Sequence, residues 1–149
     1  MYSVRWMGEL IQASGLKDQG YFERLLAERF PAIAAEIDEY ERGLLHPEMA
    51  VLARVTCRAI ELGDSHQLQA HLSFVDELFS DAASDLENAV NVSYLENVFL
   101  WSEDPRYVSA RAMLSRRLQI ALTELEDHWE KLTESWKAHQ ASKMERSRS

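Results

Sequence analysis

The segment from Arg106 to Lys137 contains no glycine and no proline, and its apolar residues recur every three or four positions. That spacing places the apolar side chains on one side of an α-helix. A helix of about 33 residues is about 50 Å long, which exceeds the width of a small domain. The sequence therefore predicts one long C-terminal helix that begins near Pro105, behind the capping residues Ser102 and Asp104, and serves as the spine of the fold.

Within this helix, seven apolar residues follow a spacing that resembles a short coiled-coil seam. They are Leu114, Leu118, Ala121, Leu125, Trp129, Leu132 and Trp136. Two copies of the chain could pair along this seam and bury Trp129 and Trp136, so a structural or regulatory homodimer is one function that the sequence suggests. The run from Lys143 to Ser149 is polar and basic, and we expect it to fray as a flexible tail.

The rest of the chain is divided by glycine and proline into shorter segments with the same helical spacing. We predict helices over residues 20–30, 31–41, 47–62, 64–79 and 84–100. No segment alternates apolar and polar residues as a strand would. The predicted fold class is all-α: an irregular bundle of five or six helices that ends in one long C-terminal helix. It forms a single domain over residues 1–142, with an N-terminal arm over residues 1–17.

Local signals mark the ends of several predicted helices. Asp18, and either Asp64 or Ser65, are residue types that cap the helices following them, and Gly63 suits a left-handed stop. Ser84 followed three residues later by Glu87 matches a capping box.

Composition and charge exclude several classes of function. The net charge of −9 repels a phosphate backbone and favours a basic protein partner, so we expect no binding to nucleic acid. Charged residues interrupt every apolar run, which predicts no transmembrane helix. Cys57 is the single cysteine, and the first residues lack the apolar stretch of a secretory signal, so we expect a cytoplasmic protein.

The sequence contains none of the motifs by which common enzymes hold phosphate, nucleotide, calcium or zinc. We therefore predict a protein without catalytic activity or cofactor. A less favoured alternative is a hydrolase or metal site built from His46, Glu48 and Glu96, if the fold brings them together. Cys57 lies beside Arg58, but adjacent helical side chains point apart, so a small core cysteine is the simpler interpretation.

The predicted fifth helix mixes polar and apolar stripes, and a cluster of aromatic and acidic residues follows it. The residues that we predict to bind a partner are Glu87, Asn91, Tyr94, Glu96, Trp101, Glu103 and Asp104. Exposed, they would offer an acidic and aromatic face for a basic protein. Buried, the polar residues of the helix would form an internal hydrogen-bond network instead, and the sequence leaves both readings open.

Three short segments resemble a bacterial family of small proteins known as a domain of unknown function. They are Phe30-Pro31, the segment Gly43 to Met49, and the segment Leu86 to Glu96, and the resemblance spans about residues 20–100. The family resembles the small acidic immunity proteins that neutralise polymorphic bacterial toxins. The resemblance implies a helical protein that occludes a basic toxin or effector.

Overall fold

The structure, a computed structural model, describes residues 17–148. Seven helices follow one another in this part of the chain. They are α1 (Gln19–Arg29), α2 (Pro31–Ala34), α3 (Leu45–Leu62), α4 (Ser65–Phe79), α5 (residues 84–99), α6 (Pro105–Ala112) and α7 (Arg116–Arg148). The described residues contain no strand, only an isolated bridge between Lys17 and Ala82. The predicted all-α bundle with a long final helix is confirmed, whereas the predicted N-terminal arm lies outside the described residues apart from Lys17.

Predicted capping residues fix three helix ends. The carboxylate of Asp18 accepts the N–H of Tyr21 at 3.0 Å, and that of Asp64 accepts the N–H of Gln67 at 3.1 Å. Gly63 ends α3 with a φ of 69°, a left-handed conformation that glycine adopts without strain. The predicted capping box at Ser84 is wrong, because Ala83 occupies the cap position and makes no side-chain bond there.

The second helix is much shorter than predicted, since it ends at Ala34 instead of continuing to residue 41. The carboxylate of Asp38 accepts the N–H groups of Tyr40 and Glu41, at 2.9 and 2.8 Å. These side-chain bonds stabilise a turn in place of further helix.

The long helix predicted from Pro105 is interrupted at residues 113–115. The Ser115 hydroxyl donates to the carboxylate of Asp76 at 2.5 Å and accepts the N–H of Leu118 at 3.3 Å. Ser115 therefore caps a new helix, α7, at a point fixed by contact with α4. α7 continues to Arg148, so residues 143–148 of the tail that was predicted to fray are helical.

The centre of the fold is formed by α3 and α5, and α5 contains a π-helical stretch, Val90–Leu95, between α-helical Ser84–Ala89 and Glu96–Phe99. α7 contributes only its first turns to the core, where Leu118, Ala121 and Leu122 are buried. From Trp129 onward every described residue except Gln140 is exposed, so more than half of α7 projects from the bundle. No helix within residues 17–148 is long and apolar enough to cross a membrane.

Candidate functional site

Tyr94, one of the residues predicted to bind a partner, is completely buried. Its hydroxyl lies 2.9 Å from Oγ1 of Thr56 on α3, and burial raises the pKa of this hydroxyl well above its usual range. Tyr94 therefore cannot contact a partner, and its assignment to the partner-binding residues is wrong. It belongs to an internal network, one of the two interpretations that the sequence left open for this helix.

Glu87 and Asn91 lie beside α7. Glu87 is exposed and Asn91 is half-buried, and together with Glu124 and His128 they line a shallow cleft of about 150 Å³ between α5 and α7. The Oδ1 atom of Asn91 is sealed from solvent and accepts no hydrogen bond from residues 17–148.

Glu96 holds α7 against α5. The indole Nε1–H of Trp129 donates to Oε1 of Glu96 at 2.6 Å. This is a charge-assisted bond at the point where α7 leaves the bundle. Glu96 is therefore already engaged within the chain.

Trp101 is 54% exposed and adopts a left-handed backbone conformation with a φ of 53°. The backbone N–H of Trp101 donates to Oε2 of Glu126 at 3.1 Å. The guanidinium of Arg111 donates to both oxygens of Glu126, at 2.8 and 2.6 Å, and lowers the pKa of that carboxyl. A bidentate ion pair therefore supports the strained turn that presents Trp101.

Of the two predicted acidic residues beside Trp101, Glu103 is exposed, whereas Asp104 is half-buried and has partners. The Asp104 carboxylate caps α6 through the N–H of Arg106 at 2.9 Å and binds its guanidinium at 2.8 Å. The Arg106 side chain lowers the pKa of Asp104 and balances its charge.

The exposed residues predicted to bind a partner do not form one continuous face. Glu87 and Asn91 lie next to Glu124, whereas the backbone of Trp101 is bound to Glu126. Positions two apart on a helix are separated by about 200°, so these two groups lie on opposite sides of α7.

The alternative metal site does not form among the described residues. Nδ1 of His46 lies 2.6 Å from Oγ of Ser93, and Glu96 is bound to Trp129. Within residues 17–148, no group of three His, Cys, Asp or Glu side chains is placed to hold a metal ion. His46, Glu48 and Glu96 therefore form no metal site, and the hydrolase alternative stays a prediction.

Glu48 is an unexpected core residue, only 2% exposed, although the sequence placed it in the first turn of a helix. Its Oε2 accepts the N–H of Gly43 at 3.1 Å, while Oε1 is sealed and has no partner among the described residues. Burial raises the pKa of Glu48, and the nearby carboxylate of Glu23 raises it further.

Sequence reasoning missed Thr56 and His71, the members of the central polar cluster that lie outside α5. Oγ1 of Thr56 lies 2.9 Å from the Tyr94 hydroxyl, 3.1 Å from Nδ1 of His71 and 3.0 Å from the carbonyl oxygen of Leu52. Burial lowers the pKa of His71, which keeps the ring neutral at pH 7. The available signal was the position of His71 beside Leu72 on the apolar side of α4, where only a hydrogen-bonded histidine is tolerated.

Cys57 is half-buried, next to this cluster in sequence. Burial raises the pKa of its thiol, so the reactive thiolate is disfavoured.

A model of the family described as Domain of unknown function (DUF7674) matches residues 23–130, which is more than half of the chain. The chain belongs to the DUF7674 family. No curated protein and no solved structure matches it. The DUF7674 match includes the Thr56, His71 and Tyr94 cluster and ends one residue after Trp129, where α7 leaves the bundle.

The apolar stripe of α7 continues past the end of the DUF7674 match. Leu118 and Ala121 of the stripe are buried in the bundle, whereas Trp129, which is bound to Glu96, Leu132 and Trp136 are 39, 46 and 63% exposed. The spacing of three and four is unchanged through both parts, so the same side of the helix first packs on the domain and then faces solvent.

Proposed function

We propose that this protein is a non-catalytic protein-binding module and that its binding surface is the α7 stripe, defined as Trp129, Leu132 and Trp136. The observation that carries the proposal is the continuation of a core-forming stripe onto a projecting helix. A large apolar patch on a projecting helix indicates an interaction surface. Aromatic side chains of this kind supply much of the binding energy at protein interfaces.

The proposed partner is a second copy of the chain, bound antiparallel. Residues 124–134 carry five acidic side chains and one basic one, whereas residues 137–148 carry four basic side chains and one acidic one. Antiparallel pairing places the acidic half of one helix opposite the basic half of the other, whereas parallel pairing places like charges together. Antiparallel pairing also separates the two acidic domains.

The residues that border the α7 stripe suit such a pair. They are Thr133, Ser135, Gln140 and Ser142. None carries a charge, so closing the interface over residues 129–142 buries no unpaired ion. The charged residues Glu130, Glu134 and Lys137 occupy the outer side of the helix, where they stay in water.

Heptad geometry gives the pairing a definite register. In an antiparallel pair, the a position of one helix faces the d position of the other, and Trp129 and Trp136 occupy a while Leu132 and His139 occupy d. Trp136 of each copy then packs on the partner's Leu132, and Trp129 packs on the partner's His139. Burying a Leu or Trp side chain stabilises by roughly 1.5–3 kcal/mol when burial is complete, so four such residues at the centre suit a micromolar dimer.

Sedimentation equilibrium of the full chain at about 1–100 µM tests the proposal, since this range spans micromolar dimerisation. We expect a mass of twice 17.2 kDa at the upper end. Trp136→Glu should give the monomer mass throughout, while Tyr40→Glu, a matched change at a residue that is 81% exposed, should dimerise like the unchanged protein. A monomer at every concentration, or a dimer that Trp136→Glu leaves intact, would contradict the proposal.

The immunity function implied by the family resemblance is a second candidate, with a basic toxin bound in the cytoplasm. Its support is the exposed Trp101, held in a strained turn by Glu126, on a chain of net charge −9. The test is capture of a basic protein that is released at about 1 M salt, where charge attraction is screened within about 3 Å. Trp101→Ala should lose this protein and Leu62→Ala should retain it. Equal capture by both variants would exclude the Trp101 surface.

A further inference from the structure

A groove of about 500 Å³ lies between α2, α3 and the first half of α4, on the part of the chain that does not contact the α7 stripe. Its floor is formed by Phe30, Ile33, Val55, Ala59 and His71. The volume is within the usual range for small-molecule sites, which are mostly apolar with few polar groups. His71 is the polar group at the floor of this groove.

His71 presents an unused nitrogen. The side chain is 2% exposed, and its Nδ1 atom lies 3.1 Å from Oγ1 of Thr56. Nε2 makes no hydrogen bond to residues 17–148, and the His71 side chain is part of the lining of the groove. A buried imidazole normally has partners for both nitrogens, so the groove leaves one position for a ligand atom.

The proton positions around Thr56 define what that ligand atom must be. A hydroxyl has one proton and accepts two hydrogen bonds. The carbonyl of Leu52, 3.0 Å from Thr56 Oγ1, can only accept, so Thr56 donates to it. Tyr94 and Nδ1 of His71 must then both donate to Thr56. His71 consequently carries its proton on Nδ1, and Nε2 has a free lone pair that needs a donor.

The charges at the rim of the groove do not favour an anion, and the carboxylate of Asp64, which also lines the groove, already accepts the N–H of Gln67. Arg29 is paired with Glu77, and Arg58 donates to both carboxylate oxygens of Glu36 at 2.6 Å. Each guanidinium is thus balanced by a carboxylate, so the rim lacks an unbalanced positive group that would select an anion.

We propose that the groove binds a neutral, mainly apolar small molecule whose hydroxyl or N–H group donates to Nε2 of His71. The apolar floor holds the body of the ligand, and the free nitrogen orients it. The site is independent of the α7 stripe, so its test does not depend on dimerisation.

Two NMR measurements on the full chain test this site. Long-range proton–nitrogen spectra of the histidine side chains should show His71 protonated on Nδ1. Indole, an apolar probe with one N–H donor, should then shift the Nε2 resonance and the signals of Ile33 and Leu62 in a saturable manner. N-methylindole has the same shape without the donor, and it should bind about tenfold more weakly.

A substitution at the rim of the groove tests the site without changing a core residue. Leu62 lines the groove and is 82% exposed, so Leu62→Glu should weaken indole binding several-fold. Leu44→Glu, at an exposed leucine outside the groove, should bind indole like the unchanged protein. Protonation of His71 on Nε2, equal binding of both probes, or no shift with indole at millimolar concentration would overturn the proposal.

Discussion

The Tyr94 hydroxyl donates to Oγ1 of Thr56 across 2.9 Å, and this bond joins the π-helical stretch of α5 to the middle of α3. Thr56 also contacts His71 of α4, so one threonine links the three central helices. The Tyr94 hydroxyl, Nδ1 of His71 and the carbonyl oxygen of Leu52 all form hydrogen bonds with Oγ1 of Thr56. A fully paired cluster of this kind favours one relative placement of the helices over others.

Thr56→Val is expected to destabilise the fold more than Tyr94→Phe. Phe at position 94 removes one hydrogen bond and should lower the free energy of unfolding by about 1 kcal/mol. Val at position 56 has the same shape but leaves the Tyr94 hydroxyl and Nδ1 of His71 buried without partners, which should lower it by about 2–5 kcal/mol. Urea unfolding measures both values. Similar losses for the two variants would mean that Thr56 is not the centre of the cluster.

The parts of the fold that were predictable from sequence depend on neighbouring residues. Asp18, Asp64 and Gly63 act on N–H and C=O groups within a few positions, so their roles follow from local spacing. The break before α7 depends on Ser115 meeting Asp76, 39 residues earlier in the chain. No local signal marks it, because Ser115 lies in an otherwise continuous helical pattern.

The central polar cluster was harder to predict because its members, like Ser115, depend on contacts with residues far away in the chain. A tyrosine in a polar stripe fits an exposed face or a buried network equally well, and only Thr56 on another helix decides between them for Tyr94. Glu48 has the position of an ordinary first-turn acid, and its burial depends on Glu23 and Gly43. The exposed stripe of α7 was predictable, since it depends only on spacing within one helix.

Because α5 contains a π-helical stretch, we expect a one-residue deletion inside the stretch to destabilise the fold less than a one-residue deletion before it. A π-helical turn holds one residue more than the α-helix it interrupts. Deleting Val92, which is exposed, should convert the stretch to α-helix and keep the flanking segments in place, for a loss below about 3 kcal/mol. Deleting the exposed Asn88 should rotate everything after it by about 100° and unfold the bundle. Thermal unfolding followed by circular dichroism compares the two, and equal losses would contradict the expected role of the stretch.

Glu48 predicts a dependence of stability on pH. Burial raises its pKa in the folded state above the unfolded value of about 4.3, so its contribution is fully present below that pH. The contribution is lost as the pH rises through the folded pKa, because a charged carboxylate must then remain buried. Glu48→Gln keeps an oxygen for the Gly43 N–H and carries no charge. The free energy of unfolding of Glu48→Gln minus that of the unchanged protein should therefore be more positive at pH 7 than at pH 4.

Chemical denaturation at the two pH values checks this expectation. Glu39→Gln, at an exposed carboxylate, serves as the control and should follow the unchanged protein at both. Parallel behaviour of Glu48→Gln and the unchanged protein would show that Glu48 does not titrate between pH 4 and 7 as a buried acid should.

Charge reversal on α7 tests the direction of the proposed helix pair. Glu130→Lys with Glu134→Lys makes the acidic half basic, and Lys137→Glu with Lys143→Glu makes the basic half acidic. Most of these charges lie on the outer side of the helices and act through water instead of forming direct pairs, so each double variant should self-associate a few-fold more weakly at low salt and like the unchanged protein at about 1 M salt. A mixture of the Lys variant with the Glu variant should recover the affinity of the unchanged protein, because an all-basic helix then faces an all-acidic one. In a parallel pair, like charges would face each other in the unchanged protein and in both double variants. Self-association of the double variants as strong as that of the unchanged protein, measured by sedimentation, would therefore refute the antiparallel arrangement.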